Sequence, residues 1–230
     1  MPPFTIKTTG HATISHPAER GILRINIHDS GPAPSAVSST VLACTNHIKS
    51  LIIPLNTRSA SGEVTSTAAI THWSMGSLST YSHAVYDRRT DTETGHSYHA
   101  RAEFEIKFRN FATLASVATE LSGMPLVNID GVEWKLTDVS KRELARRVRS
   151  LAGKDALERA EDYASTFGKQ RVAVVEVLEE GGWRDGAGFG VHSARRAVAR
   201  RDSADGGEGL SFQPEEVEVS AEVSVKFVTE

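Results

Sequence analysis

The sequence predicts an α+β fold, with a mostly antiparallel or mixed sheet and helices packed against one of its faces. Near the C-terminus Val217, Val219, Ala221, Val223, Val225 and Phe227 alternate with Glu218, Ser220, Glu222, Ser224 and Lys226, the period-two signature of a strand with one wet face. Ala100, Ala102, Phe104, Ile106 and Phe108 alternate in the same way with His99, Arg101, Glu103, Glu105 and Lys107. Strands that keep a polar face belong to antiparallel or mixed sheets, because an all-parallel sheet is covered by helices on both faces. Between these strands Leu144, Val148, Leu151, Ala152, Ala156, Ala160, Ala164 and Phe167 repeat at helical spacing. A helix with one apolar stripe buries that stripe alone, which places it on a single side of a sheet.

In chain order, residues 4–8 and 12–15 read as short strands around Gly10, and Leu23, Ile25 and Ile27 alternate with Arg24, Asn26 and His28 as another. A helix over 35–51 carries Val37, Val41, Leu42, Thr45, Ile48 and Leu51 on one side and stops before Pro54. Strands follow at 66–73 and 78–86, and the polar stretch 87–95 connects the second to the strand at 98–109. A short helix over 111–121 uses Leu114, Val117, Ala118 and Leu121; Val132, Trp134 and Leu136 alternate within a strand at 127–136. The long helix opens near Asp138 or Ser140, where Ser140 followed by Glu143 forms a capping-box pattern, and Gly168 stands where a C-terminal cap is expected. Gly153 is the position at which that helix is expected to bend. The run 171–178 is nearly continuous in apolar residues and is therefore expected in mid-sheet. From 181 to 209 the periodicity stops and eight glycines intervene, which reads as a Gly/Arg-rich insertion in an otherwise single domain spanning 1–230.

Bulk composition excludes several classes. A formal net charge of -3 offers no broad basic surface for phosphate backbones, so nucleic acid is not an expected partner. A single cysteine, Cys44, rules out an internal disulfide and any multi-thiolate metal site. No stretch approaches the roughly 20 apolar residues of a spanning helix, so a soluble chain without a membrane span is expected. Met1, Pro2 and Pro3 lead straight into polar alternation with no export signal, from which a cytoplasmic address is expected.

Candidate chemistry is sparse. His96 and His99 form an HxxH pair beside Glu93, but three residues along a strand sends the two rings to opposite faces, and surface histidines are the better reading. In Gly186, Gly188 and Gly190 the third glycine comes one residue too early for a dinucleotide fingerprint, and no Lys-Ser or Lys-Thr follows. Cys44 lies near the apolar stripe of its helix and reads as a small core residue. A Gly-x-Ser-x-Gly elbow is absent. Glu218 and Glu222 repeat along a wet strand face, where they solubilise an exposed strand rather than pair as acid and base. Arg195, Arg196, Arg200 and Arg201 form a basic cluster within the insertion and are a candidate interaction patch; Ser203, just after them, is a candidate phosphosite, where phosphorylation would set about two negative charges beside four arginines. No catalytic constellation, cofactor site or metal site is expected.

Pro214, Glu215 and Glu216 leading into the alternating run 217–227, the opening Ile6, Lys7, Thr8, Thr9, Gly10, His11 and Ala12, and the Ala/Arg/Glu-rich helix 141–168 followed by a valine-rich strand together resemble the SIMPL-domain family over nearly the whole chain. The resemblance implies helices packed on a sheet, a first strand broken by a glycine turn, and no established enzymatic activity. It further implies kinship with periplasmic immunogenic and oxidative-stress-defence proteins, among which large homo-oligomers occur, and with a eukaryotic adaptor tied to kinase signalling.

Three functional readings follow. One is a noncatalytic assembly or scaffold protein, stress- or signalling-related, that forms homo-oligomers through strand edges or the insertion. Another is a small-ligand binder or enzyme whose site assembles from residues distant in sequence, for instance His72, Trp73, His83 and His99 on neighbouring strands. The third is a signalling adaptor that engages a different protein partner.

Overall fold

The computed structural model describes residues 2–87, 89, 92–179, 191–192, 200–201 and 210–230. Their strands are β1 (Thr5–Pro17), β2 (Arg20–Gly31), β3 (Ile70–Met75), β4 (Ser79–Tyr86), β5 (Glu93–Phe108), β6 (Val127–Lys135), β7 (Val172–Leu178), the two-residue β8 (Val191–His192), β9 (Arg200–Arg201) and β10 (Leu210–Ser211), and β11 (Glu216–Thr229). The helices are α1 (Pro34–Ile52), α2 (Phe111–Ser122) and α3 (Asp138–Thr166). All of the strand pairings are antiparallel, and the fold is α+β as the alternation requires. The chain divides into two compact units.

The first unit comprises Met1–Ala18, Leu136–Ala194 and Glu215–Glu230. Its sheet joins the two ends of the chain: β1 lies along β11 from Thr5↔Val228 to Pro17↔Glu216, and β7 pairs with the other side of β11. The α3 helix packs on β1 and β11 through Ala152, Ala156, Ala160 and Ala164, which meet Ile6, Val223, Val225 and Phe227. Alanine at every fourth position keeps this face of the helix shallow, so the backbones come close. Thr8 exploits the approach, its buried hydroxyl donating to the Ala156 carbonyl at 2.9 Å. β1 therefore runs unbroken through Gly10, with no turn there. Thr137 caps α3, accepting from the Ser140 N–H, so the cap precedes the serine that the sequence pattern favours. The helix also runs on through Gly153 without a break.

The second unit comprises Glu19–Lys135 and Arg195–Pro214. Its five-stranded sheet has the order β3-β5-β2-β6, with β4 also pairing on β5. The long β5 thus spans two short neighbours, β3 beside residues 104–108 and β4 beside residues 93–101. Gly21, Leu23, Ile25 and Ile27 share one face of β2 by strand alternation. That face meets Leu114 of α2 near Gly21 and Val37 of α1 near Gly31, so both helices cover the same side. Its core contains Trp134, Phe108, Ile106, Ile48 and Leu114, all fully buried. Asn110 caps α2 by accepting from the Thr113 N–H at 3.0 Å.

Among the described residues two larger sheets and the small β9–β10 pair thus stand where alternation alone suggested one sheet. The run 171–178 is also not central: among the described residues β7 pairs only with β11 and forms an edge.

Candidate functional site

The helix-free face of β5 carries the densest group of chemically active side chains. Tyr81 of β4 and Ser30 of β2 both register with His99, while His83 registers with Ser97 and His28 with Arg101. Residues two apart on a strand share a face and diagonal neighbours reach one another. The rings of Tyr81, His83, His99 and His28 are therefore drawn together.

Their geometry is that of a stack centred on His99. The Tyr81 ring lies 4.8 Å from it at 6°, the His83 ring 4.7 Å from it at 25°, and the His28 ring 5.4 Å from it at 27°. His28 Nε2 and His99 Nδ1 are 3.2 Å apart, and His99 Nε2 is 3.2 Å from Ser97 Oγ. One of the two facing imidazole nitrogens carries the hydrogen and the other offers its lone pair. Burial, then the nearby His83 and His28, hold the His99 pKa below the usual imidazole value. Such a cluster can exchange protons and stack on a planar group. Among the described residues no set of three or more His, Cys, Asp and Glu is arranged to hold a metal ion.

Further along the same face Arg24 bridges Glu133 at 2.8 Å and Glu105 at 3.4 Å, with Lys135 also 3.2 Å from Glu133. Arg101 reaches Glu103 at 2.6 Å and donates to Asn26 Oδ1 at 2.7 Å. A cavity of about 450 Å³ opens beside Arg24, Ser74, Gly76, Glu103 and Asp130. Another of about 300 Å³ is lined by Pro34, Val37 and Ser38 of α1 and by Thr80, Tyr81, Ser82, Tyr98 and His99, so it borders two residues of the ring stack as well as the helix.

Of the four residues the sequence nominated together, the fold unites His83 and His99 and leaves His72 and Trp73 apart. His72 registers with Lys107, and the Trp73 ring lies 6.4 Å from that of Phe104. The HxxH pair does not converge: His96 is held by Glu93 at 3.2 Å and tilts toward Tyr98, on the opposite side from His99. His28 was not nominated. Its only signal is a polar position within the β2 alternation, and its partner lies 71 residues away. Cys44 is half-buried on α1 rather than part of the core, and burial pushes its thiol up, which disfavours the nucleophilic thiolate. Glu222 lies 3.8 Å from His11 across the β1–β11 pair. Arg200 and Arg201 form β9, registered with Ser211 and Leu210; Arg195, Arg196, Ser203, Gly186, Gly188 and Gly190 lie outside the described residues.

The first unit offers a feature of a different kind. β7 exposes Val174 (57%), Val175 (56%), Val177 (60%) and Leu178 (45%), valines and a leucine along a sheet edge. On its paired side Val174 registers with Phe227 and Glu176 with Lys226, so Val175 is an extra residue, a bulge in the edge strand.

Residues 6–227 match the SIMPL family, described as a protein of unknown function (DUF541), and the chain belongs to that family. No curated protein matches it. Among solved structures it is similar to an amidase of the hydantoinase/carbamoylase family from Burkholderia phymatum, at 14% identity over 60% of this chain and 35% of that one, with a TM-score of 0.26. The chain thus spans about a third of that amidase's length, and a likeness of this order carries no argument.

Proposed function

From membership of the SIMPL family and the exposed edge of β7, we propose that this protein is a noncatalytic assembly protein whose partner is a second copy of itself. The observation that carries the reading is the exposure of Val174, Val175, Val177 and Leu178 on one strand. Single exposed apolar residues are ordinary on a monomer, but four on one edge strand, interrupted only by Glu176, favour a covered state. It also gives a reason for the nearly continuous apolar sequence of 171–178: contact in an assembly would bury it as mid-sheet placement would. Because the bulge at Val175 interrupts the ladder, the contact is made by side chains rather than by extension of the sheet. Light scattering over a concentration series tests this. The expected result is a stable multiple of 24.9 kDa that collapses to a monomer when Val174→Lys and Val177→Lys are combined. A monomeric wild type at every concentration would overturn it.

The ring stack on β5 favours a second reading, a binder of a planar small ligand. Quenching of Tyr81 fluorescence by such a ligand in a monomeric protein would support that alternative over assembly.

A further inference from the structure

The stack of His28, Tyr81, His83 and His99 is built from contacts that tolerate one proton charge and not two, and it fastens the least anchored strand of its sheet. We propose that it is an acid-sensitive clasp: it holds β4 against β5 near neutral pH and releases β4 when a second imidazole of the cluster is protonated.

The first support is the contact between His28 Nε2 and His99 Nδ1 at 3.2 Å. It requires one N–H and one lone pair. With both rings protonated each nitrogen carries a hydrogen, and the attraction becomes a repulsion between two cations. The second is the stacking of His83 on His99 with centroids 4.7 Å apart, which brings another like charge as close on protonation. A single charge is compatible with the stack, since Tyr81 offers its ring face to His99 at 4.8 Å.

The surrounding charges add to this bias. Facing the cluster from β5 is Arg101, whose charge opposes further protonation, and its partner Glu103 is committed to it at 2.6 Å. From β4 come only Tyr81 and His83. From β2, besides His28, comes the uncharged Asn26, and beyond it β6 presents Asn128 in register. The α1 helix covers the opposite face, and the Glu93–His96 pair also lies on that other side of β5. The other carboxylates of this face stand farther along it and are themselves engaged, Glu105 with Arg24 at 3.4 Å and Asp130 with Asn128 at 3.1 Å. The depressed pKa of His99 agrees in sign: neutral His99 is favoured in the fold. Its contribution is intact above the ordinary imidazole range, about 6.5, and is lost as the pH falls through and below that value.

What the clasp restrains is β4. Every residue of β4 except Ala84 is exposed, and among the described residues its only sheet neighbour is β5. A solvent-exposed ladder makes a segment open locally at low cost, and the rings attach this hairpin by side chains alongside the Thr94 hydroxyl, which donates to the Val85 carbonyl at 2.9 Å.

Hydrogen exchange of the full chain, corrected for intrinsic rates and compared at about pH 7.5 and about pH 5, tests the clasp across the histidine range. Protection of Ser79–Tyr86 is expected to fall by about tenfold or more on acidification, the equivalent of one pKa unit, while α3 stays protected. His99→Phe retains a stacking ring without a titrating nitrogen, and its β4 protection is expected to change less than about twofold on the same correspondence. The His99 titration followed by NMR on the wild-type protein provides a readout that needs no variant, and it is expected below the ordinary imidazole value. Unchanged β4 protection, an equal loss in His99→Phe, or a His99 titration at the ordinary value would each overturn the proposal.

Discussion

Gly10 of β1 runs so close to α3 that a Cβ placed on it would stand 2.0 Å from the carbonyl oxygen of Ala152 and 2.5 Å from the backbone nitrogen of Ala156. Both obstacles are helix backbone, which cannot swing aside as a side chain can. Gly10→Ala must therefore push α3 off the sheet and disturb the alanine contacts around Ile6 and Val225. Overpacking of a well-filled core costs about 1–3 kcal/mol, and a backbone obstacle places this site at the upper end. Urea denaturation of Gly10→Ala should show about 3 kcal/mol of lost stability; a variant within about 0.5 kcal/mol of wild type, the scale of a neutral surface change, would contradict the close approach.

Asp155 lies one position before that contact, and its Oδ2 accepts the backbone N–H of His11 at 2.9 Å. That hydrogen bond, with the paired Arg159, holds its carboxyl below the usual carboxylate range despite an opposing effect of desolvation. A depressed folded-state pKa gives stability that is present above the unfolded value of about 3.9 and lost as the pH falls through the folded one. Asp155→Asn keeps an acceptor oxygen and loses the charge. Its stability deficit should thus be visible near neutrality and shrink toward zero as both proteins are acidified below about pH 4, a convergence measurable by thermal unfolding across a pH series. A deficit that stays constant with pH would remove the charge from the account.

The elements were largely legible because their signals are local. Alternation from Val217 to Phe227 reports which side of β11 is wet, and the Ala152 to Ala164 spacing reports which side of α3 is buried, without reference to the rest of the chain. The partners were not legible, since pairing Thr5 with Val228 joins residues at opposite ends of the sequence and no periodicity encodes it. The same limit explains the site. His83 and His99 lie on consecutive strands, so their meeting could be guessed, whereas His28 reaches His99 only because β2 is inserted between β5 and β6. β7 misled for a separate reason: a run of apolar residues reports hydrophobicity, but not whether the strand lies in mid-sheet or at an edge.

Gly21 poses the packing question within the second unit. A Cβ there would meet Leu114 Cδ1 at 2.6 Å and Trp134 Cζ3 at 3.0 Å, both side-chain atoms. Leu114 can change rotamer, so Gly21→Ala should cost about 1–2 kcal/mol, less than Gly10→Ala, and should weaken the ring packing of Phe111 against Trp134, now 5.0 Å apart. Near-ultraviolet circular dichroism of the tryptophan bands alongside urea melts reads both effects; a larger loss at Gly21 than at Gly10 would reverse the ordering.

Thr45 lies on the buried stripe of α1 between Val41 and Ile48, and its hydroxyl has no hydrogen-bond partner among the described residues. A hydroxyl enclosed by apolar neighbours has given up its water contacts, at a cost of about 1–3 kcal/mol that no protein contact offsets. Valine has nearly the same shape and the same branching at Cβ, so Thr45→Val removes the polar atom without opening a cavity or changing the rotamer demands on the helix. The expected outcome is a gain of about 1 kcal/mol in urea denaturation, at unchanged m-value. Thr45→Ser serves as the control, because it retains the unpartnered hydroxyl and deletes a buried methyl, and should lose about 1 kcal/mol. If Thr45→Val instead proved destabilising, the hydroxyl would have to be engaged in solution and α1 would sit differently on β2 and β5.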